Sequence, residues 1–118
     1  MSIGEIRLNV VFFRTEGGAE PVRRWLKSLP MGDKKAIGED IKTVQFGWPL
    51  GMPLVEKLEP FLWEVRSRVA DGIARVLFTV DGPTMILLHG FIKKSRRIPM
   101  AEIRIARTRL KQYREAGL

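Results

Sequence analysis

Between Leu62 and Lys93 the chain carries a carboxylate, an imidazole, guanidiniums and an amine at a spacing that suits phosphodiester chemistry. In Leu62–Val69, Glu64, Arg66 and Arg68 fall on every second position, and Trp63, Val65 and Val69 take the alternate ones. In Ile73–Val80, Arg75 stands apart from the apolar row Ala74, Val76, Phe78 and Val80. In Met85–Lys93, His89, Phe91 and Lys93 oppose Ile86, Leu88 and Ile92. Side chains alternate across a strand with period two, so these segments, read as strands, pack one face and leave the polar row on the other. Paired in sequence order, they would gather that row on one surface. A core has no use for such a set, whereas an anionic ligand does.

The elements that position this row follow from local pattern. Ile6, Leu8, Val10 and Phe12 alternate as an opening strand, broken at Gly17-Gly18. Pro21 suits the first turn of a helix, where its missing N–H costs nothing, and Val22, Trp25, Leu26 and Leu29 form its apolar stripe. Leu29-Pro30-Met31-Gly32 breaks that helix, and Asp33 is the expected cap of a second one. The second helix buries Ile37, Ile41 and Val44, turns Lys34, Lys35, Glu39, Asp40 and Lys42 outward, and stops near Phe46-Gly47-Trp48-Pro49. So brief a link implies an antiparallel helix hairpin. A short strand is expected around Val55 to Leu58, and Asp71-Gly72 and Asp81-Gly82 read as hairpin turns between the later strands. Gly90 marks a bulge or a close backbone approach. Pro99 opens a last helix with Met100, Ile103, Ala106, Leu110 and Tyr113 on its apolar side. The expectation is a single α+β domain over residues 1–118, with a mainly antiparallel, twisted sheet.

Composition narrows the classes. The chain has 118 residues, 45% of them hydrophobic, which is enough for one core. With no cysteine there is no disulfide scaffold, zinc-thiolate site or cysteine nucleophile. With one histidine and no carboxylate cluster at ligand spacing, neither a metal nor another cofactor is expected. No secretory signal and no apolar run of membrane-spanning length stands out, so the expected location is the cytoplasm, away from membranes. The formal net charge is +8, from 21 Lys and Arg against 13 Asp and Glu. Nine of those bases lie between Lys93 and Arg114, where Glu102 is the one acid, leaving 12 bases and 12 acids elsewhere. The excess is therefore C-terminal, the footprint of a partner such as nucleic acid or of a solvated basic helix.

Four pieces in order carry a resemblance: Leu62-Trp63-Glu64-Val65-Arg66, Asp71-Gly72-Ile73-Ala74-Arg75-Val76, Leu88-His89-Gly90-Phe91-Ile92-Lys93-Lys94, and Pro99 with its basic helix. The set resembles the RelE/HigB-like toxin superfamily of type II toxin–antitoxin systems, nearest its phage-derived HigB-like branch. The resemblance implies a RelE-like fold and an endoribonuclease that cuts mRNA on the ribosome. It also implies a cognate helix-turn-helix antitoxin, held with the toxin in a hetero-oligomer. Arg66, Arg75, Lys93, Lys94 and His89 match family positions. Ala74 departs from an aromatic common in relatives, Ser95-Arg96-Arg97 departs from a Thr-Gln-Lys-like run, and the C-terminal tyrosine of some relatives has no counterpart.

Metal-free RNA cleavage needs a base on the 2′-hydroxyl, positive charge on the phosphoryl oxygens and a proton for the leaving 5′-oxygen. Glu64 or His89 is the candidate base, Arg66 and Arg75 the phosphate holders, and Lys93 the stabiliser or acid. Phe91 is the candidate for stacking a base, and Arg68, Lys94, Arg96, Arg97, Arg104, Arg107 and Lys111 for holding the strand. Simpler readings stay open: Glu64 as a cross-strand ion-pair partner of Arg66 or Arg75, and His89 as an ordinary half-buried strand histidine. Two other functions also remain open. One is a non-catalytic toxin of the ParE type that poisons gyrase; the other is an inert phage-derived module that binds nucleic acid or protein.

Overall fold

The computed structural model describes residues 6–93 and 99–116. Their elements run β1 (Asn9–Phe12), α1 (Pro21–Lys27), α2 (Met31–Gly47), β2 (Val55–Glu59), β3 (Leu62–Val69), β4 (Gly72–Asp81), β5 (Thr84–Lys93) and α3 (Met100–Ala116). This is the expected α+β order. The strands form one sheet in the order β1-β5-β4-β3-β2, antiparallel throughout except that β1 runs parallel to β5. β3, β4 and β5 do pair in sequence order.

Each helix earns its place by burial against the sheet. Pro21 opens α1, which lies against β5 and β1, while α2 lies against β3. Ile37, Ile41 and Val44 of α2 and Val22 of α1 meet Val65, Val76, Phe78 and Leu87 in one core cluster. Asp33 does not cap α2, whose N-cap is Pro30. It is buried in the first turn, and its Oδ1 accepts the Ala70 N–H at 3.2 Å, so it ties the β3–β4 turn to the helix. The hairpin turns each slip one residue from the expected dipeptides: Val69 pairs Gly72 around Ala70-Asp71, and Asp81 pairs Thr84 around Gly82-Pro83. Gly82 meets the positive φ of 57° there without a side-chain clash.

The opposite face of the sheet is not left bare. Leu62, Leu77, Ile86 and Leu88 pack with Ala106 and Leu110 of α3 in a second cluster. Strict alternation in β5 would send Ile86 and Leu88 away from His89. A bulge prevents this: Leu77 pairs His89 but Phe78 pairs Leu87, so Leu88 is the extra residue and parity changes there. Ile86, Leu88, His89 and Phe91 therefore all serve the α3 side, while Ile92 packs on the other. Met100, expected on the apolar side of α3, is instead half exposed at its first turn.

Gly90, beside the bulge, is a close approach. A Cβ there would stand 2.4 Å from Cε3 and Cζ3 of Trp25, a ring already wedged against the core. Gly90→Ala is therefore expected to lose about 1–3 kcal/mol in chemical denaturation. Gly38→Ala, in α2 where a Cβ meets nothing within 4 Å, is expected to gain up to about 1 kcal/mol. An unchanged midpoint for Gly90→Ala would contradict the packing described.

Candidate functional site

Register brings the sequence-predicted row together. Glu64, Leu77 and His89 lie side by side across β3, β4 and β5; Arg66, Arg75 and Phe91 form the next rank, and Arg68, Ile73 and Lys93 the next. β2 adds Glu56, paired directly with Glu64. The apolar α3 cluster covers one end of this face, and the cationic ranks occupy the other.

Two of the expected reactive groups are sealed inside. The Glu64 side chain is 0% exposed and that of Arg75 2%, with Arg75 Nη1 donating to Glu64 Oε1 at 2.8 Å. Arg66 Nε approaches the same oxygen at 3.8 Å, an ion pair without a hydrogen bond's geometry. Burial pushes the Glu64 carboxyl above the usual carboxylate range against the pull of Arg75, and the Glu56 carboxylate beside it pushes the same way. A carboxylate so placed cannot reach a 2′-hydroxyl on the surface. In this structure it positions Arg75, the cross-strand ion pair that the simpler reading allowed.

His89 is held on both ring nitrogens. Arg109 Nη1 donates to Nδ1 at 3.3 Å and to the Leu88 carbonyl at 2.8 Å. Since Arg can only donate, Nδ1 accepts and the proton sits on Nε2, which donates to Glu102 at 3.2 and 3.3 Å. Burial lowers the imidazole below its ordinary range against the pull of Glu102, and Arg109 lowers it further. Phe91 stacks on the ring at 5.6 Å and 26°, so one of its faces is taken. The sequence reading of this helix, an apolar stripe with Arg104, Arg107, Lys111 and Arg114 as a basic flank, leaves out Glu102 and Arg109, which belong to neither. Their offsets from Ala106 and Leu110 place them at the edge of the buried face.

What turns outward is cationic. The Arg66 side chain is 28% exposed, Arg68 is exposed and Lys93 half-buried. Arg104 and Lys111 are exposed on α3, and Arg107 is exposed but bound to Glu59 by contacts of 2.7 and 3.0 Å. Lys94, Arg96 and Arg97 lie outside the described residues. Arg68 and Lys93 flank Ile73 on the two neighbouring strands, so about two strand spacings, roughly 10 Å, separate their backbones. Among the described residues no group of His, Asp and Glu could hold a metal ion, and no helix is long and apolar enough to cross a membrane.

His89 is the one histidine of the chain, so its titration can be followed without assignment ambiguity. In ¹⁵N NMR it is expected to show the Nε2–H tautomer and a midpoint below the ordinary value of about 6.5. The sign follows: with the neutral form favoured in the fold, His89 costs stability as pH falls through about 6.5, where the unfolded chain takes up the proton. A midpoint above that value, or an Nδ1–H tautomer, would contradict the clamp.

Residues 24–111 match the family described as phage derived protein Gp49-like (DUF891), a RelE/HigB-like toxin family of toxin–antitoxin systems. No curated protein matches the sequence. The matched span holds α2, β2 to β5 and most of α3, which together build both faces of the candidate site. The chain therefore belongs to the Gp49-like family of phage-derived proteins.

Proposed function

We propose that this protein is the toxin of a type II toxin–antitoxin pair, of the HigB-like branch, and that it cleaves mRNA on the ribosome without a metal. The observation that carries this reading is the outward cationic rank of Arg66, Arg68 and Lys93 at the open end of a face whose other end is packed. Arg66 pairs with Arg75 on the neighbouring strand, an unfavourable pairing that Glu64 relieves from the adjacent rank of the same face and a phosphate at the surface would relieve further.

The reaction is attack of the 2′-oxygen on the adjacent phosphorus, with loss of the 5′-oxygen and formation of a 2′,3′-cyclic phosphate. Arg66 holds the non-bridging oxygens, and Lys93 stabilises or protonates the departing 5′-oxygen. Arg75 acts through Arg66 and Glu64 rather than by touching the substrate. Neither Glu64, which is buried, nor His89, engaged on both nitrogens, is free to act as base, so the 2′-hydroxyl proton passes to water as the O2′–P bond forms. Charge stabilisation and in-line orientation must then carry the rate, and a ribosome presenting a fixed mRNA conformation supplies the orientation. A helix-turn-helix antitoxin with an acidic or apolar segment covering the cationic rank would silence it in a cytoplasmic hetero-oligomer.

The engaged state of Glu64 and His89 also favours a second reading, a non-catalytic toxin of the ParE kind that acts by binding. Mapping mRNA 5′-ends after induced expression separates the two. The wild type is expected to arrest growth with new, codon-phased ends. Arg66→Ala with Lys93→Ala, at surface positions that leave the core intact, is expected to reduce those ends at least about 100-fold. Arrest without new ends would favour the gyrase-type reading, and no arrest would favour a binding-only module.

A further inference from the structure

The two-residue turn between β2 and β3 is Pro60-Phe61, closed by the Glu59–Leu62 pair. Phe61 has φ 66°, and among the described residues it is the one non-glycine with a positive φ. A Pro-headed turn with positive φ at its second position favours Gly or Asn there, and a bulky aromatic in that region is an outlier. Core packing does not account for the choice, because Phe61 is 57% exposed. Such strain persists where function retains it.

The surroundings say what the ring is for. Arg114 lies over it at 4.8 Å. An open groove of about 450 Å³ beside it is lined by Pro60, Leu110, Lys111, Arg114 and Glu115 and by the Arg107–Glu59 pair, three cations against two carboxylates. Arg104, Arg107, Lys111 and Arg114 recur three and four residues apart, one stripe along α3. α3 runs from the candidate site, where Glu102 meets His89, to the far end of the sheet, where Tyr113 donates to Asp81 at 2.9 Å. Phe61 stands beside the groove and no large exposed apolar side chain among the described residues lines it, so the patch is too small for a protein helix or a lipid surface. One solvent-facing ring beside a groove of net positive charge, on a helix carrying a cationic stripe, matches the chemistry that grips unpaired RNA: a π-face for a base and positive charge for its phosphates.

We propose that Phe61, with Lys111 and Arg114, is a stacking platform for one unpaired base of an RNA strand that follows α3 away from the cationic rank. The proposal rests on the reading of the protein as RNA-directed, but binding alone tests it. The probe is a labelled 2′-O-methyl oligouridylate of about ten nucleotides, which lacks the attacking hydroxyl. Its failure would leave the nuclease reading standing, and a failure to cleave would leave the platform standing.

The wild type is expected to bind this strand about tenfold more tightly than an abasic strand of equal length. Phe61→Gly should abolish that difference while its melting temperature equals or exceeds the wild-type value, because glycine relieves the turn. Lys111→Ala with Arg114→Ala should flatten the salt dependence for both strands. Equal wild-type affinity for the two strands, or undiminished preference in Phe61→Gly, would overturn the proposal. So would displacement of the strand by polyglutamate equally from wild type and Phe61→Gly, which would reassign the groove to an acidic protein.

Discussion

The Glu64–Arg75 pair is the interaction on which the rest of the sheet's polar face depends. Among the described residues Arg75 is the largest fully buried side chain, and it can be there because a carboxylate on the neighbouring strand meets it at 2.8 Å. A lone buried guanidinium would cost several kcal/mol. The pair also fixes register. A slip of one residue between β3 and β4 would move Glu64 to the other face and leave Arg75 among apolar groups. With this pair inside, Arg66 is held at the surface in the rank of Arg75, next to that of Glu64, and Arg68 on β3 and Lys93 on β5 form the rank beyond.

The second constraint is α3. It anchors by Ala106 and Leu110 but is also latched by polar contacts spread along its length. Glu102 binds His89, Arg107 binds Glu59, Arg109 binds the Leu88 carbonyl and Tyr113 binds Asp81. Several groups that look like binding chemistry are thus spent on holding the helix. The C-terminal excess of charge therefore overstates the charge available to a ligand, since Arg109 turns inward and Arg107 is neutralised. Arg104, Lys111 and Arg114 remain outward on α3, and Arg66, Arg68 and Lys93 on the sheet.

Much of this was legible in the sequence because it is local. Alternation located β3, β4 and β5 and set Glu64, Arg66, Arg75, His89 and Lys93 on a common face, and Gly90 announced a close approach that Trp25 makes. The illegible parts are those that depend on distant partners. Parallel pairing of β1 with β5 joins segments more than 70 residues apart and leaves no local mark. The bulge at Leu88 changes parity without a glycine at the extra position. Burial of Glu64 and Arg75 was hidden because alternation assigns a face but not which part of that face a later element will cover. Asp33 looked like a helix cap because its side chain suits one, but the partner it found was the Ala70 N–H, 37 residues away.

The most direct measurement is a double-mutant cycle on the central pair, with Glu64→Gln, Arg75→Met and their combination compared by chemical denaturation. Each single substitution is expected to lose about 3–5 kcal/mol, because each leaves a buried group without its partner. The double variant should recover part of that loss, with a coupling of at least about 1 kcal/mol. Losses that simply add to within about 0.5 kcal/mol would contradict the pair as the organising interaction.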